Sequence, residues 1–253
     1  MKRILLAVAA IGTLMLTSCE TTREVTINAD GSGQYSSTSD FSALIGLAKM
    51  ADQDGKMEKM EDKSMDTTVS LKELTDSLPS LTPEERKLAS KGSFSMNMNL
   101  GDEKMMANVK IPFGKLDELG KMDLLASRIL EQGMQKIMSE GKGGGGMDDM
   151  KLPEGGGMEA YYTTTYSAGK IEKRLLAEKY ARVGDDENMA ALKEISGQGM
   201  PMQSKLVINL PRPATKVTGK NAVLSDDKKK VTITESTEDF FDDGKSLEFT
   251  IEF

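Results

Sequence analysis

The sequence predicts an α+β fold, mainly an antiparallel sheet of β-hairpins with helices packed on one face. In several pairs of segments, apolar and polar residues alternate with a period of two and turn residues join the two members, which indicates hairpins. Between these pairs, apolar residues recur at helical spacing. A one-sided antiparallel sheet covered by helices satisfies both patterns. No unit repeats at a fixed period, so a solenoid or a propeller is not expected.

The first hairpin and the first helix are predicted close to the beginning of the chain. Val25 and Ile27 alternate with polar neighbours, residues 30–33 have the composition of a turn, and residues 34–38 return. Asp40 is positioned to cap a helix. The apolar face of that helix comprises Leu44, Leu47, Ala48 and Ala51. The segment that follows, up to Asp66, is nearly all charged residues and Met, which predicts a solvated helix end or a loop.

The middle of the chain predicts two helices and a second hairpin. Residues 82–85, Thr-Pro-Glu-Glu, have the pattern of a capping box that opens a short helix. Residues 94–100 and 105–113 alternate in polarity on either side of a turn. A longer helix with an apolar stripe is predicted over residues 116–138, and Gly120 is expected to interrupt its first turns.

The last part of the chain begins with a glycine-rich segment over residues 141–157. Fixing so many glycines costs too much entropy for a packed core, which predicts a flexible surface loop. A third hairpin over residues 160–176 and a short helix over residues 187–195 follow. Three strands are then predicted over residues 205–210, 231–234 and 247–253, the first ended by Pro211-Arg212-Pro213. The last of them presents one apolar face made of Leu247, Phe249, Ile251 and Phe253.

The first nineteen residues have the pattern of a bacterial lipoprotein signal. Lys2 and Arg3 precede an apolar run over residues 4–16, which is shorter than the roughly 20 residues that a transmembrane helix needs. The run ends in Leu16-Thr17-Ser18-Cys19, which resembles a lipobox, and Cys19 is the single Cys of the chain. The alternative is a chance Cys at the end of an ordinary signal peptide. We therefore predict a lipoprotein signal peptide over residues 1–18, lipidation of Cys19 and a membrane anchor made of lipid.

The remainder, residues 19–253, is predicted to form a single α+β domain that contains the flexible glycine-rich loop. Removal of Lys2 and Arg3 changes the net charge from −7 to −9. Such an acidic chain is repelled by phosphates, so a nucleic acid is not expected as a partner. Residues 20–23 contain no acidic cluster, and we expect a cell-envelope location, on the outer membrane facing the periplasm.

The beginning of the chain resembles that of small bacterial envelope lipoproteins, including LppM-type lipoproteins and Met-rich lipoproteins of the Bacteroidota. The resemblance comprises the lipobox and a strand that ends in Asn28-Ala29-Asp30-Gly31-Ser32-Gly33, followed by a strand and a helix as far as Leu47. A weaker similarity lies over residues 206–213. The resemblance implies an α+β domain at the envelope and, for the LppM type, binding of lipid. It implies no catalytic residues.

The composition excludes most catalytic chemistry. Without His there is no Ser-His-Asp triad and no imidazole acid or base, and with one Cys there is no CxxC pair and no thiolate zinc cluster. Adjacent carboxylates such as Asp185 and Asp186, or Asp242 and Asp243, are typical of a solvated surface. We therefore expect no enzyme activity and no bound cofactor or metal.

Two patterns in the sequence are compatible with a metal site, and each also has a structural explanation. Asn28, Asp30, Ser32 and Gly33 match four positions of a calcium loop, but the last ligand position is Ser39, and a plain hairpin turn explains the same residues. Paired Met residues bind copper(I) through their thioethers, but most fall where a core Leu is expected. The pairs are Met57 and Met60, Met96 and Met98, Met134 and Met138, Met147 and Met150, and Met200 and Met202.

Three Ser-x-x-Lys spacings and one P-loop-like ending are also present. The Ser-x-x-Lys pairs, Ser139/Lys142, Ser167/Lys170 and Ser225/Lys228, are as frequent as chance predicts and have no accompanying motif. Gly244-Lys245-Ser246 lacks the preceding Gly of a phosphate loop. Phe240 and Phe241 are expected to pack a short helix onto the sheet.

Two function classes therefore remain. The first is a structural or interaction lipoprotein that presents its surface to another envelope component. The second is a carrier that binds a lipid or other apolar ligand between sheet and helices. They differ in whether the Met and Leu side chains close into a packed core or line a void.

Overall fold

The computed structural model describes residues 20–51, 64–76, 81–139, 157–197 and 202–253. It confirms the α+β class, with mainly antiparallel strands. The strands are β1 (Glu20–Ile27), β2 (Gly33–Asp40), β3 (Ser64–Ser70), β4 (Ser93–Asn99), β5 (Lys104–Phe113), β6 (Tyr162–Ser167), β7 (Lys170–Leu175), β8 (Gln203–Asn209), β9 (Lys216–Thr218), β10 (Ala222–Leu224), β11 (Lys230–Ser236) and β12 (Phe249–Glu252). The helices are α1 (Ser42–Ala51), α2 (Leu71–Asp76), α3 (Pro83–Ala89), α4 (Met122–Ser139), α5 (Ala177–Tyr180), α6 (Glu187–Gly197) and α7 (Thr237–Asp242).

The strands divide between two sheets. The large sheet has the order β10-β11-β8-β1-β2-β5-β4-β3, and the small sheet has the order β6-β7-β12-β9. The predicted hairpins β1–β2, β4–β5 and β6–β7 are confirmed. One pairing was not predicted: β1 runs parallel to β8, with Val25 opposite Ile208. The first strand of the hairpin thus lies in the interior of the sheet.

Local capping signals explain where the helices begin. An Asp40 carboxylate oxygen accepts a hydrogen bond from the Ser42 amide at 2.9 Å. The Thr82 amide donates to a Glu85 carboxylate oxygen at 2.9 Å while the Glu85 amide donates to Thr82 Oγ1, which confirms the predicted capping box. Gly120 lies in a 3-10 helix, Leu116–Lys121, that precedes α4. The α-helix begins only after Gly120, as expected from the interruption that this glycine causes.

One face of the large sheet is buried against helices and against the small sheet. In β5, five alternate side chains are buried, and α1, α3 and α4 all contact this strand. Residues of both sheets belong to one hydrophobic core, which includes Val25, Ile208 and Phe249. The outward side chains Glu24 and Thr26 are exposed. Burial of alternate residues is what the period-two pattern predicts for a one-sided sheet.

Some sequence expectations need correction. Residues 64–66, expected in a helix end or loop, begin β3, an edge strand whose side chains are all at least partly exposed. Leu247 lies in a 3-10 helix, Gly244–Leu247, and not in the last strand, and Thr250 on the expected polar face is buried. The signal peptide, Cys19 and residues 140–156 of the predicted loop lie outside the described residues, so the domain bounds stay a prediction. No helix in the described ranges is long and apolar enough to cross a membrane.

Candidate functional site: a cavity over a buried ion network

The inner face of the large sheet changes from apolar to polar along its central strands. Val25 lies opposite Ile208, which lies opposite Val231. Four residues farther along, towards Glu20, Thr21 lies opposite Ser39 on one side and Ser204 on the other. We call the first region the apolar half, comprising Val25, Ile27, Ile208 and Val231. We call the second the polar half, comprising Thr21, Arg23, Ser37, Ser39, Ser204 and Glu235.

Arg23 is the centre of the polar half. It occupies an inward position of β1 in phase with Val25, and it is only 5% exposed. Its Nη1 lies 2.6 Å from Glu159 Oε1 and 3.6 Å from Asp123 Oδ1. Its Nη2 donates to Glu235 Oε2 and to Ser204 Oγ. One buried guanidinium therefore joins residues of the large sheet, of α4 and of the 3-10 helix Gly157–Tyr161.

Lys173 of the small sheet completes the network. Its Nζ lies 2.9 Å from Glu159 Oε1 and 2.5 Å from Glu235 Oε1, and the residue is 2% exposed. The ammonium also lies 4.4 Å from the centre of the Tyr162 ring, a cation–π contact. Two buried cations thus face three carboxylates, those of Asp123, Glu159 and Glu235.

Burial and the neighbouring charges shift the pKa values of the groups in the network. Burial raises the pKa of Glu235 above its ordinary value, although Lys173 and Arg23 oppose the shift. Burial acts the same way on Glu159, but the adjacent Arg23 and Lys173 outweigh it and hold the pKa of Glu159 well below its ordinary value. Burial would lower the pKa of Lys173, and the neighbouring carboxylates reverse this and raise it.

Tyr35 links the network to helix α4. Its hydroxyl donates to Asp123 Oδ1 at 2.7 Å, and Asp123 lies in the first turn of α4, where a carboxylate interacts favourably with the helix dipole. Burial, followed by the charge of Asp123, raises the pKa of Tyr35 well above its ordinary value. Tyr35 therefore stays a neutral donor and holds Asp123 in place.

A cavity of about 230 Å³ lies above the polar half, and we call it the sheet cavity. Its polar lining comes largely from inward positions of β1, β2 and β8, with Asp123 and Arg128 from α4 and Glu159 beside them. Its apolar lining comprises Phe41, Leu130, Met158, Met189, Leu192 and Met202. The cavity thus combines a polar floor with an apolar wall, an arrangement typical of small-molecule sites.

The calcium-like residues form a hairpin turn. Asp30 Oδ1 accepts hydrogen bonds from the Ser32 amide at 3.0 Å and the Ser32 hydroxyl at 2.7 Å, and these bonds lower the pKa of Asp30. Gly31 has a φ of 83°, a conformation that glycine adopts without strain. Ser39, at the last ligand position, is buried in β2. Within the described ranges, no group of three or more His, Cys, Asp and Glu residues could hold a metal ion.

The paired Met residues do not converge on one site. Met96 and Met98 are buried in the core on β4, Met134 is buried in α4, and Met202 lies at the sheet cavity. Met57, Met60, Met147, Met150 and Met200 lie outside the described residues. Among the placed Met side chains, most therefore fill the core, and Met158, Met189 and Met202 line a void.

The remaining candidates have local structural partners. Ser167 and Lys170 flank the β6–β7 turn, Ser225 donates to Asp227, and Lys142 lies outside the described residues. Asp186 accepts a hydrogen bond from the Tyr161 hydroxyl at 2.7 Å, and Asp243 caps the 3-10 helix that contains Gly244, Lys245 and Ser246. Phe240 packs with Tyr161, Tyr162, Tyr180 and Phe241 in a second core cluster.

No family model matches the chain, and no curated protein matches it. A similar solved structure is the NMR structure of the folded domain of the Mycobacterium tuberculosis LppM protein, with 10% sequence identity and a TM-score of 0.36 over 93% of this chain and 90% of that chain. Similarity at this level does not establish a shared family.

No residue of the network is among the candidate site residues that the sequence motifs indicate. A signal was nevertheless present, because Arg23 is in phase with Val25 and Ile27, and Glu235 is in phase with Val231 and Ile233. A charged residue at an apolar position of an alternating strand is expected to be buried and paired. Two such residues in separate strands predict that they meet.

Proposed function

We propose that this protein is a lipid-anchored envelope lipoprotein whose folded domain binds a small ligand with an apolar tail in the sheet cavity. The observation that supports the binding role is the cavity itself, with its apolar wall and polar floor. The lipobox at Cys19 supports the anchor. We propose no catalytic role.

The apolar wall is suited to a flexible chain. Three of its side chains are Met158, Met189 and Met202. Met is unbranched and adapts to irregular shapes, so a Met-lined wall accommodates alkyl chains of different conformation. Leu130 of α4 and Leu192 of α6 face the same space from two helices.

The position of the predicted anchor supports a ligand of membrane origin. Cys19 directly precedes Glu20, the first residue of β1, and Thr21 already lines the cavity. Because an extended chain rises about 3.3 Å per residue, the chain between Thr21 and the predicted lipid attachment at Cys19 can span at most roughly 7 Å. The cavity would therefore be held close to the membrane surface, which we propose is the outer membrane on its periplasmic side.

A fluorescence titration tests the binding role. The uncharged probe N-phenyl-1-naphthylamine, which brightens in apolar sites, is added to the full chain carrying Cys19→Ala. We expect saturable binding, and we expect Ser127→Trp to abolish it, because Ser127 is an exposed cavity residue and the large ring fills the space. Leu124→Trp is the matched control, since Leu124 is exposed on the same helix and does not line the cavity. Equal binding by both variants would contradict the proposal.

Fractionation tests the anchor. We expect the parent protein to be found in the membrane fraction and the Cys19→Ala variant to be released from it, because Cys19 is the single Cys that can accept an acyl chain. Retention of the variant in the membrane fraction to the same degree as the parent would contradict lipid anchoring at Cys19.

An interaction module is the second candidate function. An open groove of about 820 Å³ favours it, with Tyr161, Leu175 and Leu176 beside charged residues of α5 and of the following turn. Leu176 is 39% exposed and lines this groove, where a partner could cover it. Crosslinking in intact cells tests this candidate. We expect Leu176→Asp to remove a specific envelope-protein crosslink and to leave probe binding in the cavity unchanged.

A further inference from the structure

The sheet cavity has no guanidinium free to receive an anion. Two Arg side chains line it, Arg23 and Arg128. Arg23 already contacts three carboxylates. Both terminal nitrogens of Arg128 donate to the carboxylate of Glu85. An anionic headgroup would have to displace an existing ion pair and would then bring a further negative charge beside carboxylates that have lost their partners.

The charges beneath the cavity leave one carboxylate in excess. Arg23 and Lys173 supply two cations for the three carboxyl groups of Asp123, Glu159 and Glu235. Asp123 and Glu159 both line the cavity, and each is close to Arg23 Nη1. Asp123 is the least tightly paired of the three, because the nearest cation of the network, Arg23 Nη1, lies 3.6 Å from its Oδ1. A cation placed beside Asp123 therefore gains attraction without separating a closer pair.

The dimensions of the cavity restrict the tail of the ligand. Its volume of about 230 Å³ lies below the roughly 300–1,000 Å³ of sites for drug-sized molecules. The space therefore accepts one short alkyl chain and not the paired chains of a diacyl lipid. Phe41, Leu130 and Leu192 would contact that chain.

We propose that the sheet cavity selects single-chain aliphatic amines, with the ammonium group beside Asp123 and Glu159 and the alkyl chain against the apolar wall. The inference rests on the proposed function and adds the chemical class of the headgroup. An ammonium has three donors and no acceptor, which suits a floor of carboxylates and hydroxyls such as that of Ser37. A carboxylate, sulfate or phosphate headgroup would be rejected.

Competition against bound N-phenyl-1-naphthylamine tests the selectivity in the full chain carrying Cys19→Ala. Octylamine, octanol and octanoate have matched tails and differ in headgroup charge. Because a hydrogen bond between charged groups is about twice as strong as one between neutral groups, we expect octylamine to displace the probe at a concentration at least about tenfold below that of octanoate, with octanol between them. We expect dihexanoyl phosphatidylethanolamine not to compete in the octylamine range, since it has two chains and a phosphate.

Two variants test the residues. Asp123→Asn should remove most of the advantage of octylamine while probe binding persists, and Asp117→Asn, an exposed acid just before α4, is the matched control. Ser127→Lys places a cation at the exposed edge of the cavity without burying a charge. Ser127→Lys should weaken the binding of octylamine and strengthen the binding of octanoate. This variant remains informative if Asp123→Asn fails to fold.

The possible results separate this inference from the proposed function. Probe binding with equal displacement by octylamine and octanoate would overturn the amine selectivity and leave the binding role intact. Probe binding with preferential displacement by the phosphatidylethanolamine would overturn the single-chain inference. Failure of the parent to bind the probe at all would overturn the binding role, and the amine selectivity with it.

Discussion

The apolar half and the polar half of the large sheet are built from the same strands and differ in what fills the space above them. Above Val25 and Ile208, side chains of both sheets close into one core. Above Arg23, an ion network holds a cavity open. Buried charges keep their stability only through directed contacts with their partners, whereas apolar side chains fill whatever space is left. A void therefore persists more readily beside the network than inside the core.

The largest loss of stability is expected in the packed core. Phe249 is 1% exposed and belongs to the same core as the apolar half. Phe249→Ala should lower the free energy of unfolding by about 3–5 kcal/mol, because it removes a buried ring and leaves a cavity that the neighbours fill incompletely. Denaturant melts measure the loss. Unchanged affinity for N-phenyl-1-naphthylamine would show that the core and the sheet cavity are independent, and a loss below about 1 kcal/mol would show that this core is loosely packed.

A smaller loss is expected when the network is broken beside the cavity. Arg23→Met leaves Asp123, Glu159 and Glu235 with Lys173 as their remaining cation in the network. Breaking a buried ion pair typically costs about 3–5 kcal/mol, and we expect about 3 kcal/mol here because water in the adjacent cavity can solvate the carboxylates. Chemical denaturation tests this value. A loss larger than that of Phe249→Ala would contradict the difference drawn between the two halves.

Tyr35→Phe tests the link between the network and α4. It removes the hydrogen bond to Asp123 and keeps the ring in the core. A hydrogen bond to a charged group contributes about 1.5–3 kcal/mol. Because Asp123 is partly accessible to solvent, we expect the free energy of unfolding to fall by an amount near the lower value. Thermal and urea melts measure it. Tyr162→Phe is a useful comparison, because the Tyr162 hydroxyl donates to the carbonyl oxygen of Gly244, a neutral acceptor, and its loss should cost less.

The pH dependence of stability separates the two buried glutamates. The pKa of Glu159 is lowered on folding from its ordinary value of 4.5. The stability that Glu159 contributes is therefore fully present above that value and is lost progressively as the pH falls from it towards the lowered pKa of the folded state. The pKa of Glu235 is raised, so its contribution has the opposite sign and declines as the pH rises above the ordinary value.

Melts between pH 7 and pH 3 test the assignment, and the range follows from the ordinary carboxyl pKa. We expect Glu159→Gln to flatten the acid limb of the stability curve, whereas Glu178→Gln, at an exposed position of α5, leaves it unchanged. An acid limb as steep in Glu159→Gln as in the parent would show that other carboxylates control acid unfolding.

Local features of the fold could be predicted because they depend on neighbouring residues. The Thr82 capping box, the turn around Gly31 and the alternation in β5 are all encoded within a few positions. Strand β3 was not predicted because none of its side chains is buried, so its sequence shows no clear alternation of apolar and polar residues. Strands β9 and β10 are three residues long, too short for alternation to be visible.

The site could not be assembled from the sequence because its residues meet through long-range pairing. Arg23 and Glu235 are 212 positions apart, and they come close because β1 and β11 both flank β8. No local pattern specifies the parallel pairing of β1 with β8. Lys173 and Glu159 approach from the small sheet and from a 3-10 helix, whose placement depends on packing of the two sheets.

The parallel pairing of β1 with β8 also determines the order in which the protein can acquire its structure. Arg23 and Ser204 meet across 181 positions, so the interior of the large sheet cannot close until most of the chain has been synthesised. Closing so long a loop is entropically costly, and folds dominated by distant contacts form slowly. Until β8 arrives, the hairpin of β1 and β2 presents an unpaired strand edge directly beside the site of the predicted lipid, and such edges recruit other chains. The edge of β1 is therefore open during this interval and is covered by β8 in the folded protein.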